Sequence, residues 1–272
     1  MKRLLLIGAL AIASIGQTYA QYMDADDLGI FNHVGAAVGI GTTGVSIDLA
    51  APITPYVALR AGVDIFPKFT YKTDMKLSID QNAKAGYQTM FPGSTLPDEI
   101  KISGNPDLGA GHVLVDLFPA KTSSFHITVG AYFGKSEIAN VWNTNCVDEL
   151  QNIYRYNTSA QREALNLKKI GVDLGDYFLE PDADGQIDAT LKVKSFRPYV
   201  GIGFGRPVPM KSRLTCNFDL GVQFWGKPEV YLQGNKLEEG KTNDDSTDNL
   251  LKNISKIQVY PVLNVRLVGR IF

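Results

Sequence analysis

The stretch from Arg197 to Phe224 reads as two short strands joined by a tight polar turn. In the first, Pro198, Val200, Ile202 and Phe204 alternate with Tyr199, Gly201 and Gly203; in the second, Leu214, Cys216, Phe218, Leu220, Val222 and Phe224 alternate with Thr215, Asn217, Asp219, Gly221 and Gln223. A period of two with one wholly apolar face marks a β-strand. The opposite face mixes charges, amides and glycines, as a crowded polar interior does. Strands of about 10 residues divided in this way are what a transmembrane β-barrel requires.

The same alternation recurs six more times. The outward sets begin with Val34, Ala36, Val38 and Ile40, then Val45, Ile47 and Leu49, then Val57, Leu59, Ala61, Val63 and Ile65. Val113, Val115 and Leu117 follow, then Phe125, Ile127, Val129, Ala131 and Phe133, and finally Val259, Leu263, Val265, Leu267 and Ile271. Connections after the second, fourth and sixth strands are short; those after the third, fifth and seventh are long and polar. Outer-membrane barrels show this alternation of short periplasmic turns with longer extracellular loops, and an even strand count leaves both termini in the periplasm. The expected fold is all-β, an eight-stranded antiparallel up-and-down transmembrane barrel with long extracellular loops.

The chain opens with Met1, Lys2 and Arg3, an apolar run from Leu4 to Ile15, and small residues at Thr18 and Ala20, which reads as a secretory signal peptide over residues 1–20. The barrel domain then occupies residues 21–272. Removing Lys2 and Arg3 from 27 basic residues leaves 25 against 28 acidic ones, a net charge near −3 that gives no reason to expect nucleic acid. No apolar run of transmembrane-helix length follows the signal, and mean hydropathy is −0.05, which a barrel tolerates because its apolar residues are diluted by polar ones. The two cysteines, Cys146 and Cys216, make neither a disulfide framework nor a zinc pattern. On a barrel they lie on opposite sides of the membrane's apolar layer and stay unpaired.

A soluble β-sandwich would alternate similarly, but its outer face would carry Lys and Glu, whereas the polar faces here hold Gly, Tyr, Thr, Asn, Arg and Asp. Two aromatic girdles are expected: Phe31, Phe118, Phe125 and Phe272 at the periplasmic ends, and Phe66, Phe133, Phe196, Phe224 and Trp225 at the extracellular ends. The layout resembles the eight-stranded OmpA/OmpX-type outer-membrane barrels of the porin-like superfamily. The runs Val115-Asp116-Leu117-Phe118-Pro119, Ser124-Phe125-His126 and Phe204-Gly205-Arg206 are similar to uncharacterised outer-membrane proteins of the Bacteroidales. In that family a C-terminal aromatic residue is the assembly signal, a role the resemblance implies for Phe272, although Phe272 is out of phase with Leu263, Val265 and Leu267.

The lumen of an eight-stranded barrel is just wide enough for side chains to fill. Arg60, Arg197 and Arg266 are expected to point into it with Asp48, Asp64, Asp116 and Asp219, forming an ionic plug in which the arginines are held by Asp64, Asp116 or Asp219. His33 and His126 fall near the periplasmic end and His112 near the extracellular end, too scattered for one metal site. Ser46, Asp64 and His112 sit on consecutive strands near the outer rim, but a catalytic triad needs His between nucleophile and carboxylate. Glu180 to Asp188 has the early acidic spacing of a calcium loop, with Leu191 where the bidentate Glu belongs, so an acidic turn is the competing reading. Asn145 to Tyr156 is expected to form a short helix with Val147, Leu150, Ile153 and Tyr154 on one face.

These residues point to a non-enzymatic outer-membrane protein of a Gram-negative cell, monomeric and without cofactor or metal, acting through its extracellular loops in surface interaction or envelope support. Its partners would be outer-membrane lipid, the barrel-assembly machinery and an extracellular ligand that the sequence does not name. Porin-like passage of a small solute or hydrophobic ligand is the alternative, and a membrane hydrolase a third.

Overall fold

The computed structural model describes residues 23–174, 177–237 and 258–271. The signal segment 1–20, the acidic stretch Asn243 to Asp248 and the terminal Phe272 lie outside these residues. Strands β1 (Gly35–Gly41), β2 (Gly44–Thr54) and β3 (Val57–Ile65) come first. The chain then leaves as β4 (Tyr71–Ser78), α1 (Gln81–Met90) and β5 (Glu99–Pro106), and returns as β6 (Ala110–Leu117) and β7 (Phe125–Gly134). A second excursion holds β8 (Glu137–Asn143), α2 (Val147–Asn157), α3 (Ala160–Ala164), β9 (Gly171–Leu174), β10 (Tyr177–Leu179) and β11 (Asp188–Lys192). The hairpin β12 (Phe196–Phe204) and β13 (Leu214–Phe224) follows, then β14 (Glu229–Leu232), β15 (Asn235–Lys236) and β16 (Val259–Arg270).

Eight of these strands close into an antiparallel barrel in the order β1-β16-β13-β12-β7-β6-β3-β2. Outward residues are apolar and exposed around the ring, among them Ile40, Leu49, Ile65, Val113, Ile127, Ile202, Leu220 and Leu263. Inward residues of the same strands are buried, including Ser46, Asp48, Arg60, His112, Thr128, Asn217 and Arg266. An exposed apolar belt of this extent around a polar core is the inverse of a soluble protein, and it matches the division of faces in a membrane barrel.

The long connections are not irregular loops. They supply a second eight-stranded sheet in the order β10-β9-β4-β5-β8-β11-β14-β15. Its central run, β5-β8-β11-β14, repeats the order β6-β7-β12-β13 of the barrel strands to which each is joined by a few residues. One half of the barrel wall is thus extended beyond the rim as a separate sheet, here called the head. Ile138, Val193 and Trp225 pack at the junction with Leu108 and Tyr260. The head has its own core, in which Tyr87 of α1 and Leu150, Ile153 and Tyr156 of α2 pack on Ile100, Ile102, Val172, Leu179 and Val230.

Two sequence expectations need correction. In α2 the buried face is Leu150, Ile153, Tyr156 and Asn157, while Val147 is exposed, because the helix packs its C-terminal half against Ile170 and the sheet. Phe118 and Trp225 do not belong to aromatic girdles. Both are buried, Phe118 beneath Arg206 and Trp225 stacked on Tyr260 at 4.5 Å. Outward rings do flank the belt, with Phe125 against Phe204 at 5.5 Å and Phe133 against Phe196 at 5.4 Å.

Candidate functional site: the filled lumen

Period-two alternation fixes which residues enter the lumen, and the pairing register fixes which of them meet. Arg60 on β3 reaches Asp116 on the neighbouring β6, with Nη2 3.1 Å from Oδ1, and Asp219 on β13, with Nη1 3.4 Å from Oδ2. Arg266 on β16 donates from Nε to the same Asp219 oxygen at 2.9 Å, and its Nη1 lies 3.7 Å from Asp48 Oδ2 on β2. Asp48 also contacts His112 Nε2 at 2.5 Å, and the other ring nitrogen of His112 lies 3.7 Å from Asp64 Oδ1. His126 Nε2 lies 3.1 Å from Asp219 and 4.0 Å from Asp116, which accepts a further hydrogen bond from Thr128 Oγ1 at 2.7 Å.

One buried network therefore ties six strands together across the lumen. Its two guanidinium groups pair with three carboxylates, Asp48, Asp116 and Asp219, and each imidazole is set against two carboxylates. Asp64, expected to hold an arginine, holds none and faces His112 at 3.7 Å instead, four residues along β3 from Arg60. Pairing offsets the cost of taking these charges out of water. Glycines make the room. A Cβ on Gly62 would lie 2.8 Å from His112 Nε2, and one on Gly203 would lie 2.7 Å from Asp219 Oδ1. The luminal glycines at these positions are floors under plug side chains and do not line an open path.

Above the network, the Tyr132 ring sits 5.0 Å from that of His112 and 5.3 Å from that of Tyr199, in a layer completed by Leu114 and Val262. Below it, Phe118 packs 5.3 Å from His126, with the Arg206 guanidinium 4.2 Å from the Phe118 ring centroid. Arg206 donates to Ser123 O at 2.9 Å, Pro55 O at 3.1 Å and Ala120 O at 3.2 Å, so one side chain gathers the turns at the short-turn end. Met23, Ala25 and Leu28 pack there on Val208 and Met210.

Arg197 departs from the sequence expectation. It is buried, yet it holds no carboxylate: Nε donates to Lys194 O at 3.0 Å, Nη2 donates to Lys135 O at 2.5 Å, and the guanidinium lies 5.7 Å from the Trp225 ring. It is the second residue of β12, at the head end, where connecting-chain carbonyls rather than aspartates are within reach. His112 and His126 stand at opposite ends of the network, as their positions on β6 and β7 imply, and are linked only through Asp48, Arg266 and Asp219. Arg206 and Thr128 were not singled out from sequence; the signal for Thr128 was its inward phase opposite Asp116.

Among the described residues no nucleophile–His–carboxylate order is assembled. His112 lies between two carboxylates, and Ser46 Oγ accepts from Asn264 Nδ2 at 3.2 Å. In the head, Asp182 Oδ1 accepts from the backbone N–H of Asp184 at 3.0 Å and of Gln186 at 2.8 Å, and Glu180 pairs with Lys169 at 2.8 Å. Glu180 to Asp188 is thus an acidic turn in which Asp182 and Glu180 are engaged within the protein. Among the described residues no group of three or more His, Cys, Asp or Glu could hold a metal ion.

No protein-family model matches the sequence, nor does any curated protein. Among solved structures, the chain is similar to CarO of Acinetobacter baumannii at 16% identity and a TM-score of 0.45, covering 89% of this chain and 99% of that one. It is similar to CarO2 of the same organism at 19% identity and a TM-score of 0.46, covering 88% and 98%. The strand pairing of this chain, rather than either likeness, establishes the closed barrel.

Proposed function

We propose that the protein is a non-enzymatic outer-membrane barrel with a plugged lumen, exported by the signal peptide at residues 1–20, which acts through the head it displays outside the cell. The observation that carries this reading is the network joining Arg60, Arg266, Asp48, Asp116 and Asp219 across the lumen, with Tyr132 and Tyr199 packed above it. A wall so bridged supports anchoring, and the folded head supports surface interaction or envelope support as the work of the anchored part. The barrel presents its apolar belt to lipid as a monomer, and Phe272 serves as the signal read by the assembly machinery. The resemblance to OmpA/OmpX-type and Bacteroidales outer-membrane proteins is part of this reading.

Lysine labelling on intact cells with a membrane-impermeant reagent tests it. Lys135, Lys169 and Lys236, on the head and its junction with the barrel, should react, whereas Lys121 and Lys211 in the short turns should be protected. Labelling of Lys211 before the cells are broken would invert the topology and overturn the reading.

A further inference from the structure

The polypeptide between the barrel rim and the head is unlike its surroundings at one place. Residues 67–74 are exposed without interruption, and they include Phe69 and Tyr71, 48% and 65% exposed. The segment continues directly from Ile65, the outward apolar end of β3, and Phe66 and Phe69 hold their rings 5.8 Å apart. From Tyr71 to Lys76, β4 is paired only with β5, because β9 joins it only at Leu77 and Ser78. This edge of the head is therefore uncovered where it leaves the apolar belt.

Its charge is also unbalanced. Lys135 pairs with Asp107 at 3.3 Å and Lys192 with Glu137 at 3.0 Å, whereas Lys68 and Lys72 have no acidic partner among the described residues. Aromatic rings and lysines interleaved over five residues, at the exit of a membrane strand, suit the headgroup layer: rings settle at its depth, and ammonium groups reach the phosphates. Lysines along the open edge also discourage addition of a further strand, which disfavours an extended peptide as the occupant.

We infer that Lys68, Phe69, Tyr71 and Lys72 form a docking site for a phosphorylated lipid of the outer leaflet, with the two lysines on its phosphates and the two rings in the headgroup layer beside the Ile65 end of the belt. The inference rests on the outer-membrane reading above and adds the lipid class to it.

The full protein reconstituted in nanodiscs and K68Q/K72Q are compared by native mass spectrometry, with diphosphoryl lipid A and its dephosphorylated form supplied in equal amounts. The parent should retain the phosphorylated lipid in preference, and the variant should lose that retention about tenfold or more. Equal retention of the two lipids by the parent, or undiminished retention by the variant, overturns the site. Displacement by millimolar inorganic phosphate would identify a free-phosphate site instead and overturns the lipid assignment, as would retention of a co-purifying peptide in place of lipid. The heat-dependent gel shift of a folded barrel separates the two readings. With the shift intact in both proteins, a negative lipid result overturns only the docking site; failure of the parent to insert overturns the membrane reading as well.

Discussion

Arg60 and Asp219 stand on β3 and β13, four strands apart whichever way the barrel is followed, yet Arg60 Nη1 lies 3.4 Å from Asp219 Oδ2. Opposite walls of the lumen meet through one side chain. Asp219 also receives Arg266 and His126, so it is the point on which the network converges.

Removing one partner of a buried pair leaves the other charge uncompensated, which costs about 3–5 kcal/mol. Arg266→Met should lower the unfolding free energy in detergent or lipid by that amount, because Asp219 and Asp48 both lose a cation. Arg197→Met should cost less, about 1–3 kcal/mol, since it deprives only the carbonyls of Lys135 and Lys194. Denaturant titration of the two variants checks the order. Equal midpoints for Arg266→Met and the parent would count against a structural plug.

Luminal glycines should resist substitution where they underlie the plug. Gly203→Val puts its branch atoms against His126 and Asp219 and should abolish the heat-dependent gel shift of the folded barrel. Gly104→Ala in the head meets nothing nearer than 3.5 Å and should fold like the parent. A folded Gly203→Val barrel would show that the lumen has space the geometry denies.

The head should fail separately from the barrel. Ile153 is fully buried between α2 and the head sheet, and Ile153→Asp places a carboxylate there with no cation. Protease added to vesicles should then degrade residues of the α2 excursion while the barrel keeps its gel shift. Loss of both together would mean that the barrel depends on the head for its own stability.

Both thiols are free: Cys216 faces outward on β13, and Cys146 caps the start of α2. Burial, helped by Glu149, pushes the Cys146 thiol above its usual range, which slows alkylation at neutral pH. Mass spectrometry of unreduced protein should find two alkylatable thiols after denaturation. A Cys146–Cys216 crosslinked peptide would contradict the strand order.

Much of the barrel is legible in the sequence because each of its strands repeats the same binary pattern, so that Ile40, Leu49, Ile202 and Leu263 announce one face and Asp48, Arg60, Asp116 and Arg266 the other. The head is not, because its strands bring few residues to the core: Ile100 and Ile102 from β5, Ala189 from β11, Val230 and Leu232 from β14. Their pairing is set by the barrel strands they extend, which is a long-range fact. The sequence also places Arg197 inward but not at a height. At the head end of β12, it meets carbonyls where Arg60 and Arg266, deeper in, meet aspartates.

The most direct test of the plug is the conductance of purified, folded protein in a planar bilayer. The parent should be silent at both polarities, and R60A/R266A, which unties both guanidinium groups from Asp219, should produce current steps if it folds. Resolved steps from the folded parent would contradict the account, whatever the variant does.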